Sequence, residues 1–255
     1  MYNDTVEAVA KAAASKLNFL KKNPVGFFIS SVLAGMFIGF GILLIMSIGG
    51  LLTGQPEKKI VMGACFGIAL SLVVMCGSEL FTGNNMVMGL GIMENKVNIA
   101  QAVQVWVICL VGNWVGSILI AVIFHLTGLN SGATMAVFSQ VSLGKMQGSF
   151  LSLFMKGILC NILVCLAVWS SFRCKNEMAK LIMIWWCLFT FITAGFEHSI
   201  ANMTVLTVGL LAPNGLALSL SGYFFNIFTV VLGNMVGGIL FVAFPYHMIA
   251  NKKEA

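Results

Sequence analysis

Apolar residues run through this chain in six long blocks, roughly 24–52, 60–92, 99–126, 147–172, 180–211 and 216–249, separated by short polar stretches. Each block has the ~20 residues that a helix needs to cross a bilayer, so the pattern predicts an all-α, polytopic membrane protein. Ahead of the first block, Val6, Ala10, Ala13, Leu17 and Leu20 recur at three-and-four spacing among Lys11, Lys16, Lys21 and Lys22. Residues 1–23 therefore read as an amphipathic helix lying on the membrane surface, with a solvated, frayed terminus as the alternative. The six spans form one domain over 24–250, and 251–255 are a short tail.

The second and fifth blocks are too long, and too polar in their middles, to be simple helices. Each is interrupted at a corresponding place, by Gly77-Ser78-Glu79-Leu80-Phe81-Thr82-Gly83-Asn84 and by Gly195-Phe196-Glu197-His198-Ser199-Ile200-Ala201-Asn202. With Gly77 set over Gly195, the two stretches share the pattern GxExxxxN. The third and sixth blocks share GNxVG, as Gly112-Asn113-Trp114-Val115-Gly116 and Gly233-Asn234-Met235-Val236-Gly237, whose small residues let helices approach closely. A fainter likeness links Phe28 to Gly35 with Phe150 to Gly157. Three spans followed by three homologous spans cross the membrane in opposite senses, because three is odd. The expectation is an inverted 3+3 repeat, about 24–126 and 147–249, with broken helices 2 and 5 marking the transport path.

Composition narrows the function. The chain is 59% hydrophobic and 9% charged, against ~25% charged residues in soluble domains. The net charge of +6 does not point to nucleic acid, because the basic residues flank the spans instead of forming one patch. With both termini inside, Lys11, Lys16, Lys21, Lys22, Lys96, Arg173, Lys175, Lys180, Lys252 and Lys253 are cytoplasmic, and only Lys58, Lys59 and Lys145 fall outside. That asymmetry predicts a plasma-membrane protein with cytoplasmic N- and C-termini. Six of the seven cysteines lie within apolar spans and read as small hydrophobes, without zinc-site spacing. An enzyme is not expected, since HExxH, GxSxG and a phosphate-binding glycine loop are all missing. No metal or cofactor is implied: His125 and His247 fall near span ends, not at membrane depth where they could hold haem.

The chemistry is concentrated at the two interruptions. A helix broken in hydrocarbon leaves N–H and C=O groups that only protein or a water-lined cavity can satisfy. Glu79 and Glu197, with Asn84 and Asn202, read as braces for these loops. Half-helix N-termini aimed at the midplane favour an anion or a polar neutral guest. Thr82 and His198, one from each loop, are the side chains expected to meet there, and the imidazole can carry or release a proton near neutral pH. Phe66, Leu70 and Phe81 from one half and Phe191 and Phe196 from the other flank that point, either as plain packing or as constrictions that exclude water.

Three stretches, Val74 to Gly83, Gly157 to Ala167, and Phe196-Glu197-His198 with Ala201-Asn202-Met203, resemble the signatures of the formate/nitrite transporter family. The resemblance implies a homopentamer of aquaporin-like protomers in the lipid bilayer. Each protomer would have its own pore for small monovalent anions of weak acids, such as formate, nitrite or hydrosulfide. It implies that the central histidine is His198, the first-loop threonine Thr82, the external vestibule lysine Lys145, and the constriction Phe66, Leu70, Phe81 and Phe191, with Asn161 of the second signature completing the pore set. Formate-carrying members tend to continue the first loop with Ser/Thr, whereas Gly83-Asn84-Asn85 stands here. That continuation is similar to the hydrosulfide branch, so hydrosulfide is the first expectation and formate or nitrite the alternative. Lys145 and the half-helix dipoles would gather the anion, and protonation would precede the narrowest point.

Overall fold

The computed structural model describes residues 2–250, and the tail over 251–255 lies outside them. The first element is α1 (Asn3–Lys22), whose apolar stripe of Val6, Val9, Ala10, Ala13, Leu17 and Leu20 is buried. That stripe faces the protein, not the membrane surface. Ala13 sits against Gly91, where an added Cβ would stand 2.5 Å from the alanine methyl. Asn23 ends α1 by donating its N–H to Phe19 O, and its side chain accepts from Gly26 N–H to start α2 (Pro24–Leu51), with proline in the first turn.

The remaining chain forms α3 (Lys58–Cys65), α4 (Ile68–Met75), α5 (Phe81–Met93), α6 (Ile99–Leu126), α7 (Gly132–Met146), α8 (Phe150–Arg173), α9 (Glu177–Ala194), α10 (Ser199–Leu211) and α11 (Leu220–Gly238). A π-helical turn (Ile239–Ala243) joins α11 to α12 (Phe244–Ile249). Six segments are long and apolar enough to cross a membrane, and no strand occurs among the described residues. Both predicted interruptions are present but shorter than expected, at 76–80 and 195–198. Phe81 to Asn84 and Ser199 to Asn202 already form the first turns of α5 and α10. The shared glycine has a direct cause: Gly77 and Gly195 adopt φ of +72° and +81°, a left-handed backbone that costs glycine little. A further break at Phe66-Gly67, not foreseen, separates α3 from α4. There Trp185 packs where a Gly67 side chain would stand, and its Nε1 donates to Ala64 O.

The GNxVG glycines set the packing within each half. A Cβ on Gly116 would lie 2.0 Å from Val32 O, and one on Gly237 would lie 2.4 Å from Ile158 O, so α6 rests directly on α2 and α11 on α8. These contacts also correct the fainter likeness. Gly112 and Gly233 approach Phe28 O and Phe154 O respectively, so Phe28 corresponds to Phe154, not Phe150. The sequence match was slipped by one helical turn, an ambiguity inherent in apolar helices that resemble themselves every three to four residues.

The stretch before α8 contains α7, where the sequence suggested only a loop. Its Ser142 packs on Gly209 of α10 just as Ala13 of α1 packs on Gly91 of α5, and Ser142 Oγ donates to Val205 O at 3.1 Å. Each half thus begins with a helix laid across the outer end of its own broken span.

Candidate permeation site

Both loops are held by an asparagine from the neighbouring GNxVG helix. Asn113 Oδ1 accepts from Phe81 N–H at 2.9 Å, and its Nδ2 donates to Ser31 O and Glu79 O at 2.7 and 2.8 Å. Asn234 repeats the arrangement, accepting from Ser199 N–H at 3.0 Å and donating to Gly157 O and Glu197 O at 2.8 and 3.0 Å. Each side chain is fully buried and satisfies one N–H and two C=O groups. Unpaired, each such group would cost ~1–3 kcal/mol.

Around these braces sit two matching ionic triads. Glu79 Oε2 accepts from Asn84 Nδ2 at 3.0 Å and from Lys16 Nζ of α1 at 2.7 Å. Glu197 Oε2 accepts from Asn202 Nδ2 and from Lys145 Nζ of α7, both at 2.6 Å. The expected bracing by Glu79, Glu197, Asn84 and Asn202 thus has a geometric counterpart, with each carboxylate paired to a lysine. The structure places Lys145 in an ion pair and not free in a vestibule. Its counterpart Lys16 was read only as part of an amphipathic surface.

Thr82 and His198 meet where the two half-helices begin, with Oγ1 and Nε2 3.0 Å apart and both residues buried. His198 is the N-cap of α10, and its Nδ1 accepts from Ala201 N–H at 3.1 Å. A nitrogen accepting from an N–H carries no proton itself. The ring's proton therefore sits on Nε2 and donates to Thr82 Oγ1. The threonine hydroxyl hydrogen is left free for a guest. The backbone N–H groups of Thr82, Gly83 and Ile200, in the first turns of α5 and α10, also have no acceptor among the described residues. These donors lie in the first turns of two half-helices, where the helix ends favour an anion.

A cavity of about 370 Å³ on the α1 side is bordered by Lys16, Leu70, Glu79, Leu80 and Val168. One of about 290 Å³ on the α7 side is bordered by Lys59, Lys145, Lys156, Phe191, Glu197 and His198. Thr82, Phe66 and Phe81 border neither cavity and are at most 2% exposed. Phe191 stacks on the His198 ring at 5.9 Å and meets Phe66 edge-on at 5.6 Å. Aromatic and leucine side chains thus separate the two cavities at the polar pair. Asn161 lies behind the site: its Nδ2 donates to Thr82 O at 3.2 Å and to Asn234 O at 2.7 Å, so it holds the threonine and borders neither cavity. Sequence reasoning missed Asn113 and Asn234 as ligands of the loops. Their signal was an amide repeated at matched depth in two apolar helices.

The model of the formate/nitrite transporter family matches residues 3–248. A nitrite transporter of Salmonella typhimurium is 38% identical over 258 aligned residues, covering 100% of this chain and 94% of the relative. A solved structure described as an FNT family ion channel superposes with a TM-score of 0.92 at 38% identity, covering 98% of this chain and 99% of its own. A pentameric formate channel with formate bound gives 0.80 at 29% identity, covering 91% and 99%. The match to the family runs through both broken helices and both asparagine braces, and the chain belongs to the formate/nitrite transporter family.

Proposed function

We propose that this chain is a channel for small monovalent anions of weak acids, and that the Thr82–His198 pair between the two cavities is the point every guest must pass. The Thr82–His198 contact where two half-helices begin, between the two cavities and among phenylalanine and leucine side chains, carries the reading. A bare anion is expensive to move through the apolar walls, whereas its conjugate acid is not. The donors hold the anion, and a proton taken from hydronium in the vestibule, which leaves water behind, lets it go on as the neutral acid. Protonating Nδ1 would set two N–H groups against each other at the α10 cap. His198 therefore serves as a donor relay to Thr82 and not as the acid.

The positive-inside asymmetry of the lysines supports placing the α1 side in the cytoplasm and the α7 side outside. The pentameric formate channel supports five copies per assembly. Among substrates, the residues that favoured hydrosulfide offer no free side chain to tell one guest from another, since Gly83 has none. Asn84 is bonded to Glu79, and Asn85 packs beside Gly238. Nitrite takes first place on the strength of the nitrite transporter relative, with formate and hydrosulfide next.

The test is uptake into proteoliposomes offered nitrite, formate, hydrosulfide and chloride under equal gradients. Uptake of the three weak-acid anions should exceed that of chloride and should rise as external pH falls. His198→Asn should slow uptake yet keep the shape of the pH profile. Chloride uptake equal to nitrite, or flux indifferent to external pH, would overturn the reading.

A further inference from the structure

The two cavities differ in charge. On the α1 side, Lys16 and Glu79 are the charged residues at the wall, and they cancel in one ion pair. On the α7 side, three lysines face one carboxylate, and that carboxylate is taken by Lys145 at 2.6 Å. Lys59 and Lys156 remain at the wall with no carboxylate partner among the described residues. Both are tied to the same loop. Lys59 Nζ lies 3.6 Å from where a Cβ on Gly195 would stand, and Lys156 O accepts from Glu197 N–H at 3.3 Å. Two lysines with no carboxylate partner among the described residues thus border the cavity that reaches His198.

We infer that the α7-side vestibule holds a doubly charged oxyanion between Lys59 and Lys156, and that such a dianion plugs the pore from that face alone. The inference rests on the placing of the pore above. A monovalent guest bound there leaves one ammonium unmatched, whereas a compact dianion matches both. That dianion cannot follow the monovalent guests inward. Moving one charge into an apolar medium is already costly, and the cost grows with the square of the charge. The site selects what waits at the mouth, and the apolar wall selects what passes. The α1-side cavity, with its charges cancelled, offers a dianion no such hold.

Sulfate is the probe. Nitrite uptake is measured in right-side-out and inside-out membrane vesicles carrying the full chain, with millimolar sulfate or with gluconate at matched ionic strength. Sulfate should slow uptake roughly tenfold, as when about nine sites in ten are plugged, in vesicles exposing the α7 side, and should leave the opposite orientation unchanged. Lys59→Gln/Lys156→Gln should lose most of that inhibition, each preparation being compared with its own rate without sulfate. Equal inhibition from both faces, or undiminished inhibition in the double variant, would overturn the inference. Calorimetric titration of the purified protein with sodium sulfate reads the site without transport. One sulfate per chain, lost in the double variant, is expected, and no binding to the wild type would also overturn it. If nitrite does not move but sulfate binds, it is the pore reading that fails.

Discussion

The loop over 76–80 and the loop over 195–198 are built on one plan, and two of the positions at which they and the helix turns after them differ carry the chemistry. Each has a left-handed glycine, a glutamate that pairs with a lysine and an asparagine, and a GNxVG asparagine that takes up one N–H and two C=O groups. With the glycines superposed, Leu80 stands opposite His198 and Thr82 opposite Ile200. Thr82 and His198, the polar side chains that meet at the centre, come from these mismatched positions. Symmetry supplies a stiff frame that keeps two helix ends open in the membrane, and the departures from symmetry supply the chemistry.

If the frame is symmetric, its braces should be interchangeable in effect. Asn113→Leu and Asn234→Leu each orphan three buried backbone groups, at ~1–3 kcal/mol apiece. Both variants should lose several kcal/mol and either fail to yield folded protein or melt far below the wild type in detergent. A large loss for one beside a mild loss for the other would break the equivalence.

The lysine pairs should give smaller effects. The Lys145–Glu197 and Lys16–Glu79 side chains are 16% and 8%, and 22% and 10%, exposed. Breaking a fully buried pair costs ~3–5 kcal/mol, and these partly wetted ones less. Lys145→Met and Lys16→Met should each leave a carboxylate unpaired beside the path and slow nitrite uptake. Adding Glu197→Gln or Glu79→Gln, respectively, should restore much of the uptake by removing the stranded charge. If neither second change rescues, the lysines act on the anion directly, not through their carboxylates.

Much of this frame was legible in the sequence because it is written in residues that are costly in an apolar helix. GxExxxxN and GNxVG stood out at matched positions, and the six spans followed from length and hydropathy. What stayed hidden depended on long-range contacts. Lys16 and Lys145 lie far along the chain from Glu79 and Glu197, and no local pattern joins them. α7 was masked because its 15 residues, with Thr134, Ser139, Gln140, Ser142 and Lys145 among them, fall short of a membrane span. Asn161 read as a pore residue because sequence position cannot tell a side chain facing a cavity from one facing the back of Thr82. The Phe28 register slipped because one helical turn of apolar sequence looks much like the next.

The central claim is that the α10 cap fixes the His198 ring, so that Nε2 carries the proton toward Thr82. Nitrogen-15 NMR of ring-labelled protein in lipid reads this directly, with His125 and His247 removed by substitution to leave one imidazole. The account predicts, at neutral pH, an unprotonated Nδ1 with the shift of a hydrogen-bond acceptor and a protonated Nε2 that shifts when Thr82 is changed to Val. A proton on Nδ1, in either the opposite tautomer or the imidazolium, would contradict it.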